Sequence, residues 1–221
     1  MEIQRESMEY DVVIVGAGPA GLATSIKLKQ INPDLNVCIL EKGSEVGAHI
    51  LSGNVFETRA LDELIPDWKE KGAPIKTKVK KEKFLFLGKK SSLSWPTWLL
   101  PSVQKNHKNY IISLANLCRW LAEQAESLGV EIFPGFAASK IIYDGDDKII
   151  GVQTGDMGID KEGNKKDSFE PGLNIMAKVT VFSEGCRGHL GKEVIKKYKL
   201  DYNKSPQQYG IGFKEIWEIP E

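Results

Sequence analysis

A glycine-rich turn near the start of the chain has the residue types and spacing of a phosphate-binding loop. Gly16, Gly18 and Gly21 form the pattern Gly-x-Gly-x-x-Gly, with Pro19 and Ala20 between the last two. The first glycine permits a tight turn, the second lets the backbone approach a pyrophosphate, and the third lets the following helix pack on a sheet. The start of that helix offers N–H groups and a partial positive charge to phosphate oxygens. The pattern favours dinucleotide binding over a turn that is glycine-rich by chance.

Glu41 ends the next predicted strand, where a carboxylate can accept hydrogen bonds from a ribose. The same charge would repel a 2′-phosphate, which disfavours NADP. Lys42 follows it and joins the predicted cofactor contacts. In an NAD dehydrogenase, strands and helices should alternate directly after this strand, whereas here residues 43–108 form a long insertion. The insertion favours FAD over NAD.

A second acidic turn, Glu184-Gly185, follows a later predicted strand. It resembles the turn by which many FAD-dependent oxidoreductases place a group near the flavin ribityl chain. His49, Ser52 and Gly53 lie in a Gly/Ser-rich segment and are also predicted near the flavin, although a lone histidine could equally be structural. A flavin stores the electrons itself, so no acid–base or nucleophile set is required, and the sequence contains none.

Charge and cysteine content exclude several other classes of protein. The 30 basic and 30 acidic residues cancel, which argues against a dedicated nucleic-acid binder. The three cysteines, Cys38, Cys118 and Cys186, form no Cys-x-x-Cys pair, so neither a disulfide framework nor a local metal site is predicted. A reducing compartment is expected, and Cys186 is expected to be a packing residue.

The elements that would position these residues are short apolar strands and amphipathic helices. A strand over Tyr10–Val15, a helix over Leu22–Ile31 and a strand over Leu35–Leu40 form a βαβ unit around the glycine-rich turn. The other predicted elements are helices over Glu57–Trp68, Asn109–Leu128 and Lys192–Lys199, strands over Phe84–Leu87, Val130–Phe133, Ile175–Ser183 and Tyr209–Ile219, a hairpin over 140–154 and a polar loop over Gly155–Gly172.

The insertion contains an apolar tip, formed by Trp95, Pro96, Trp98, Leu99 and Leu100 between lysine-bearing segments. The prolines exclude a helix or a central strand, so a solvent-facing loop or hairpin tip is predicted. Tryptophans rimmed by lysines suit the interface of a bilayer. Composition alone equally allows a loop folded onto the protein's own core.

Five ordered segments have a more specific character: Gly47–Gly53, Pro66–Pro74, His107–Ile111, Glu184–Leu190 and Tyr209–Trp217. Together they resemble the electron transfer flavoprotein–ubiquinone oxidoreductase family, over nearly the whole chain. The resemblance implies a monotopic membrane enzyme that accepts electrons from reduced electron transfer flavoprotein and passes them to ubiquinone through FAD and a [4Fe–4S] cluster. It places the enzyme on the cytoplasmic side of a bacterial inner membrane, or on the matrix side of the mitochondrial inner membrane in a eukaryote.

The resemblance also assigns residues. It implies that Gly16, Gly18 and Gly21 hold FAD, that Glu41 contacts the adenosine ribose, and that the Gly47–Gly53 loop approaches the flavin. Ser113 stands where many relatives carry an arginine, and Arg119 is a poor substitute for it as a phosphate ligand. The cluster cysteines of the family lie far downstream, and none of the three cysteines here can replace them.

The predicted fold is α/β: a glutathione-reductase-like FAD-binding Rossmann domain with an inserted membrane-associated hairpin and helix, and the start of a second, antiparallel-sheet domain. The expected divisions are a polar tail over 1–9, an FAD-binding domain over 10–200 with the insertion 43–108 contacting a membrane at 84–103, and the first strand of a truncated quinone or substrate domain over 201–221. The 221 residues are therefore expected to be the N-terminal part of a longer enzyme. A NAD(P)H-dependent reductase or monooxygenase of the geranylgeranyl reductase type, and an FAD-binding fragment without turnover, stay open as alternatives.

Overall fold

The computed structural model describes residues 4–51, 53–211 and 218. Its strands are β1 (Ser7–Val15), β2 (Val37–Glu41), β3 (Asn54–Phe56), β4 (Thr77–Lys78), β5 (Phe84–Leu87), β6 (Ser92–Trp95), β7 (Tyr110–Ile112), β8 (Glu131–Pro134), β9 (Ala138–Tyr143), β10 (Ile149–Thr154), β11 (Met157–Ile159), β12 (Lys165–Glu170) and β13 (Asn174–Phe182). Its α-helices are α1 (Pro19–Ile31), α2 (Arg59–Leu64), α3 (Leu114–Ser127) and α4 (His189–Tyr198).

A six-stranded sheet with the order β8-β2-β1-β13-β10-β9 forms the centre of the fold. β8, β2, β1 and β13 run parallel, whereas β10 and β9 join one edge as antiparallel strands. Because β1, β2 and β13 run parallel, the turns that follow them lie together at the carboxyl ends of the strands. In open α/β sheets, ligands bind at these carboxyl ends.

β1 is buried on both of its faces, which is why its sequence is a nearly continuous apolar run. Val12 and Ile14 belong to one core cluster, together with apolar residues of α1 and α3. Val13 and Val15 belong to a second cluster, which includes Leu190 of α4. The predicted βαβ unit is confirmed, with α1 beginning at Pro19.

The long predicted helix over Asn109–Leu128 is wrong in its first turn. Residues 110–112 form β7, which pairs with β3 on one side and β4 on the other. α3 begins after Ser113, whose side chain accepts a hydrogen bond from the backbone N–H of Asn116 at 3.3 Å. A serine in this position is a favoured helix cap, and it fixes where the helix starts.

The helix predicted over Glu57–Trp68 is shorter than expected because Pro66 disfavours helical backbone at Ile65. α2 ends at Leu64, and Trp68 is 3% exposed, with its indole N–H donating to the Asp62 carboxylate at 2.7 Å. Leu61 is likewise buried in the main core. The apolar side of this segment therefore packs in the core.

β5 and β6 pair as an antiparallel hairpin, followed by two short 3₁₀ helices, Thr97–Leu99 and Ser102–Gln104. The segment is not folded onto the core: Trp98 is 74% exposed and Leu87 is 78% exposed. Among the described residues, no helix combines the length and apolar character needed to cross a membrane.

Two further predictions need correction, and a third concerns residues that lie mostly outside the described part of the chain. The polar tail predicted over 1–9 is too long, because β1 starts at Ser7 and its first residues pair with β13. The loop predicted over Gly155–Gly172 contains the antiparallel pair of β11 and β12. The strand predicted over Tyr209–Ile219 falls mostly outside the described residues, and residues 209–211 have no regular secondary structure.

Candidate dinucleotide-binding site

A cavity of about 880 Å³ lies at the carboxyl ends of β1, β2 and β13. Its volume is within the range of about 300–1,000 Å³ that is usual for small-molecule sites. Its lining includes nine of the twelve predicted cofactor contacts: Gly16, Gly18, Pro19, Ala20, Glu41, Lys42, His49, Glu184 and Gly185. Side chains distant in sequence are thus brought together where the dinucleotide prediction requires them.

The glycine-rich turn is held tightly by its neighbours. The N–H of Gly16 donates to the Leu40 carbonyl at 2.8 Å, and Gly16 has a φ of 105°, which favours glycine. A Cβ on Gly21 would lie 2.1 Å from the Gly16 carbonyl oxygen, so this residue must be glycine for the helix to pack. Gly21 therefore lies behind the cavity lining, as a packing residue.

Gly18 differs from the other two glycines because a Cβ there would meet nothing within 4 Å. It is the N-cap of α1, and no side chain caps this helix end. The position therefore presents open backbone and the start of a helix to the cavity. This arrangement suits the close approach of a phosphate group.

Glu41 links the glycine-rich turn to the loop after β2. One carboxylate oxygen accepts from the N–H of Ala17 at 3.0 Å, and the other accepts from the N–H of Gly43 at 2.7 Å. Each oxygen keeps a second lone pair for a ligand hydroxyl. Glu41 therefore both fixes the turn and retains the acceptor capacity that ribose binding needs.

The turn after β13 lies beside the glycine-rich turn. The N–H of Ser183 donates to the Val15 carbonyl at 2.8 Å, and a Cβ on Gly16 would lie 2.6 Å from the Ser183 carbonyl oxygen. Glu184 lines the cavity but directs its carboxylate to the backbone N–H groups at the start of α4. The sequence predicted its place in the site and not this set of partners.

The loop after β2 supplies Gly47, His49 and Ile50 to the lining. Gly53 is not among the lining residues, and Ser52 lies outside the described part of the chain. Arg119 is also absent from the lining, since its guanidinium donates to the Glu45 carboxylate at 3.0 Å. This ion pair is consistent with Arg119 being a poor phosphate ligand.

Sequence reasoning missed several lining residues, namely Arg187, His189 and the segment 137–139. Arg187 and His189 directly follow the Glu184-Gly185 turn, so the turn itself was the available signal. The segment 137–139 carries only alanine and serine, which give no local indication of a binding site. Just before this segment, the N–H of Gly135 donates to the Gly43 carbonyl at 2.7 Å, which ties this part of the chain to the loop after β2.

The cysteines take no part in this cavity. Cys38 and Cys118 are buried, and burial raises the pKa of their thiols to about 12 and about 11. Cys186 is exposed, so the packing role expected for it is wrong: the turn after β13 turns its side chain away from the core. Within the described residues, no three His, Cys, Asp or Glu side chains are grouped to hold a metal ion.

Comparison with known proteins identifies others that share this fold. The Thi4 family model matches residues 1–63. The solved structure of THI4 from Thermovibrio ammonificans is similar with a TM-score of 0.56 and 18% identity, over 86% of this chain and 63% of that one. A flavoprotein/dehydrogenase from Cytophaga hutchinsonii gives a TM-score of 0.53 and 19% identity, over 87% of this chain and 42% of that one. The predicted Rossmann-like α/β fold is confirmed.

Much closer sequence matches are found among curated proteins. The chain is 56% identical to "Probable electron transfer flavoprotein-ubiquinone oxidoreductase" of Acinetobacter baylyi, over 98% of this chain and 39% of that protein. The similarly named protein of Pseudomonas aeruginosa is 56% identical over 98% of this chain and 40% of its own length. The mitochondrial protein of Homo sapiens is 48% identical over 100% of this chain and 36% of its own length.

The chain therefore spans between 36% and 40% of the length of these three curated relatives. The matched region covers 98% to 100% of the chain, so it spans the glycine-rich turn, the insertion and the turn after β13. The resemblance seen in the five sequence segments is confirmed: the chain is homologous, over nearly its whole length, to a part of the electron transfer flavoprotein-ubiquinone oxidoreductases.

Proposed function

We propose that this chain binds FAD in the cavity at the ends of β1, β2 and β13. Gly18 and the start of α1 take the pyrophosphate, because the backbone there is open and uncapped. Glu41 takes the adenosine ribose through its remaining acceptor lone pairs. The residues proposed to line the site are Gly16, Gly18, Pro19, Ala20, Glu41, Lys42, His49, Glu184 and Gly185. Gly21 is proposed to support the site by letting α1 pack closely, and Ser52 and Gly53 are proposed to lie near the flavin.

The shape of the cavity and the open space at Gly18 fit this cofactor. The cavity is long enough to contact three separate strand ends, and Gly18 leaves space in it that any side chain would fill. FAD, when bound, supplies storage for one or two electrons. The work of this chain's residues is then to hold the cofactor, orient it and keep water from it.

The proposed function is electron relay within a longer protein. That protein accepts electrons from reduced electron transfer flavoprotein and passes them to ubiquinone, and this chain provides its FAD-binding part. The observation that carries the proposal is the 56% identity, over 98% of the chain, to the Pseudomonas aeruginosa relative bearing that name. The [4Fe–4S] cluster predicted for the family would belong to the remaining part of such a protein.

We further propose that the hairpin of β5 and β6 and the segment after it, residues 84–103, contact a membrane surface. Trp95, Trp98 and Leu99 are 42%, 74% and 50% exposed, and Pro96 and Leu100 lie beside them. On the family resemblance, the surface contacted would be the cytoplasmic face of a bacterial inner membrane, or the matrix face of the mitochondrial inner membrane. We also propose that residues 10–200 form the FAD-binding domain and that residues 43–108 are its insertion.

The FAD and electron-donor proposals are tested together on the purified chain. The chain is immobilised, loaded with FAD and mixed anaerobically with electron transfer flavoprotein that has been reduced beforehand. After washing, its visible flavin absorbance is read; we expect bleaching by the reduced partner and none by the oxidised partner or by NADPH.

Each other result has a distinct meaning. Bleaching by NADPH would favour a reductase or monooxygenase of the geranylgeranyl reductase type. Retention of yellow FAD without bleaching by either donor would favour a binding fragment without turnover. A chain that stays colourless with added FAD would contradict the proposed cofactor itself.

A further inference from the structure

Glu184 is bound to the first turn of α4 by three hydrogen bonds. Its Oε1 accepts from the backbone N–H groups of His189 and Leu190 at 2.9 and 3.1 Å, and its Oε2 accepts from that of Gly191 at 2.6 Å. Gly188, the N-cap residue of α4, offers no side-chain cap of its own. One carboxylate from the end of β13 therefore satisfies three N–H groups that a helix leaves unpaired at its start, and its charge opposes the positive end of the helix.

The turn between Glu184 and α4 is built around this carboxylate. A Cβ on Gly188 would lie 2.7 Å from the Glu184 Cβ and 2.8 Å from its Oε2, and a Cβ on Gly191 would lie 3.3 Å from the same oxygen. Gly185 has a φ of 79°, a conformation that other residues rarely adopt. Glycine thus occupies both positions at which a Cβ would crowd the Glu184 side chain, Gly188 and Gly191.

The position of this turn in the sheet decides which half of a dinucleotide it would meet. β1 lies between β2 and β13, so Glu41 and the turn after β13 are on opposite sides of the glycine-rich turn. In the proposed function, Glu41 takes the adenosine half of FAD. The turn over residues 185–188, whose Gly185, Arg187 and Gly188 line the cavity, is then on the side of the flavin half.

We propose that Glu184 is a positioning residue for the flavin half of FAD, acting through the start of α4 and the turn over 185–188 and not as a direct ligand. This inference rests on the proposed FAD function. Replacing the carboxylate by an amide leaves one acceptor oxygen and turns an N–H donor toward the helix N–H groups. The turn must then move, while the adenosine side of the site is untouched.

The test compares FAD with ADP, because ADP occupies only the adenosine half. Dissociation constants for both are measured by calorimetry on the full chain, together with hydrogen exchange of the His189–Gly191 amides without ligand. For Glu184→Gln we expect a Kd for FAD about tenfold higher, about 1.4 kcal/mol, and a Kd for ADP that is unchanged. Exchange of the three amides should become faster because their charge-assisted acceptor is lost.

Two variants provide the controls. Glu126→Gln removes an exposed carboxylate on α3 and should change neither constant. Glu41→Gln should raise the Kd of both ligands, since it alters the shared half. If Glu184→Gln does not fold, Glu184→Asp keeps the charge with a shorter reach and should show the same preference for loss of FAD over ADP.

The outcomes separate this inference from the proposed function. Wild-type chain that binds FAD, with Glu184→Gln binding it equally well, would overturn the positioning role alone. A rise in the Kd of both ligands by the same factor would also overturn it, because that is the result of general destabilisation. Wild-type chain that binds ADP but not FAD would overturn the proposed function and this inference with it.

Discussion

The three glycines of the turn after β1 are required for different physical reasons. Gly16 and Gly21 are required by the fold, since a Cβ on either would overlap backbone oxygen at 2.6 or 2.1 Å. Gly18 is not required by the fold: its φ of −79° is accessible to any residue and its Cβ would meet nothing within 4 Å. A glycine without a structural requirement, placed at an uncapped helix start in a cavity, points to a ligand that approaches the backbone.

This difference gives a matched pair of variants. We expect Gly18→Ala to fold with wild-type stability and to lose at least about tenfold in FAD affinity, about 1.4 kcal/mol, because its methyl group occupies the place of the pyrophosphate. Gly21→Ala should instead be destabilised by about 1–3 kcal/mol, the usual cost of overpacking. Urea unfolding and flavin titration measure the two effects. Equal FAD affinity in Gly18→Ala and wild type would contradict pyrophosphate binding at this turn.

At the residue scale, the sequence predicted the members of the site better than their partners. Glu41 was expected to accept from a ribose, yet its hydrogen bonds to Ala17 and Gly43 depend on how the chain returns after β2. Arg187 was missed because the only signal for it was its nearness to the Glu184-Gly185 turn, which does not say whether the side chain faces the cavity. Such partners are set by the meeting of distant segments, which no local spacing encodes.

At the element scale, prediction succeeded where one pattern dominated and failed where two competed. β1 and β2 carry continuous apolar runs and were found. β7 was assigned to a helix because Ile112 continues the spacing of the apolar residues in α3. The pairing of Ile111 with Val55 on one side and Thr77 on the other makes the segment a strand. β12 is mostly polar and β11 has only three residues, so neither provides the extended alternating apolar pattern by which a strand is found.

The hairpin of β5 and β6 leads to the prediction at this scale. Lys105 donates to the Trp98 carbonyl at 3.0 Å, which places a cation beside the exposed apolar tip. We expect the chain to co-sediment with anionic vesicles, since apolar tips and lysines both favour such a surface. The double variant Trp98→Ser, Leu99→Ser should lower the partition constant for the vesicles at least about fivefold, which corresponds to about 1 kcal/mol.

A control with matched exposure is available outside the hairpin. Tyr202 and Leu200 are 73% and 56% exposed, against 74% and 50% for Trp98 and Leu99. Their double replacement by serine removes comparable apolar surface and should leave vesicle binding unchanged. Equal losses in the two double variants would show that the hairpin has no special role.

At the scale of the whole molecule, one ion pair joins Arg5, in the segment before β1, to Asp156, in the turn between β10 and β11. The Asp156 carboxylate accepts from the Arg5 guanidinium and from the N–H of Gly172. The Arg5 hydrogen bond, assisted by that of Gly172, lowers the pKa of Asp156 to about 2. Because the folded pKa lies below that of the unfolded chain, the stabilisation is present above about pH 4 and is lost as the pH falls toward 2.

We expect Asp156→Asn to lower the free energy of unfolding at neutral pH and to reduce its loss between about pH 4 and pH 2. Urea unfolding over a pH series measures both effects. Asp167→Asn, at an exposed position on β12, is the control and should follow the wild-type pH dependence. Parallel curves for Asp156→Asn and wild type would contradict a stabilising role for the ion pair in this range.

The turns after β1, β2 and β13 all border the cavity. The three strands before these turns contribute residues to both core clusters. A ligand held by these turns should therefore stabilise the fold as a unit. At a concentration of about 100 times its Kd, a ligand specific for the folded chain adds about 2.7 kcal/mol. For a chain of this size, that corresponds to a rise in Tm of roughly 5–11 °C.

We expect this rise with FAD, followed by circular dichroism, and a smaller one with NADPH, whose 2′-phosphate Glu41 would repel. Gly18→Ala should keep the ligand-free Tm and lose most of the rise, since only the ligand requires glycine there. An equal rise with FAD and NADPH would mean that the cavity binds the nucleotide half without distinguishing its 2′ position. That result would contradict the assigned role of Glu41 while leaving the glycine-rich turn as the phosphate site.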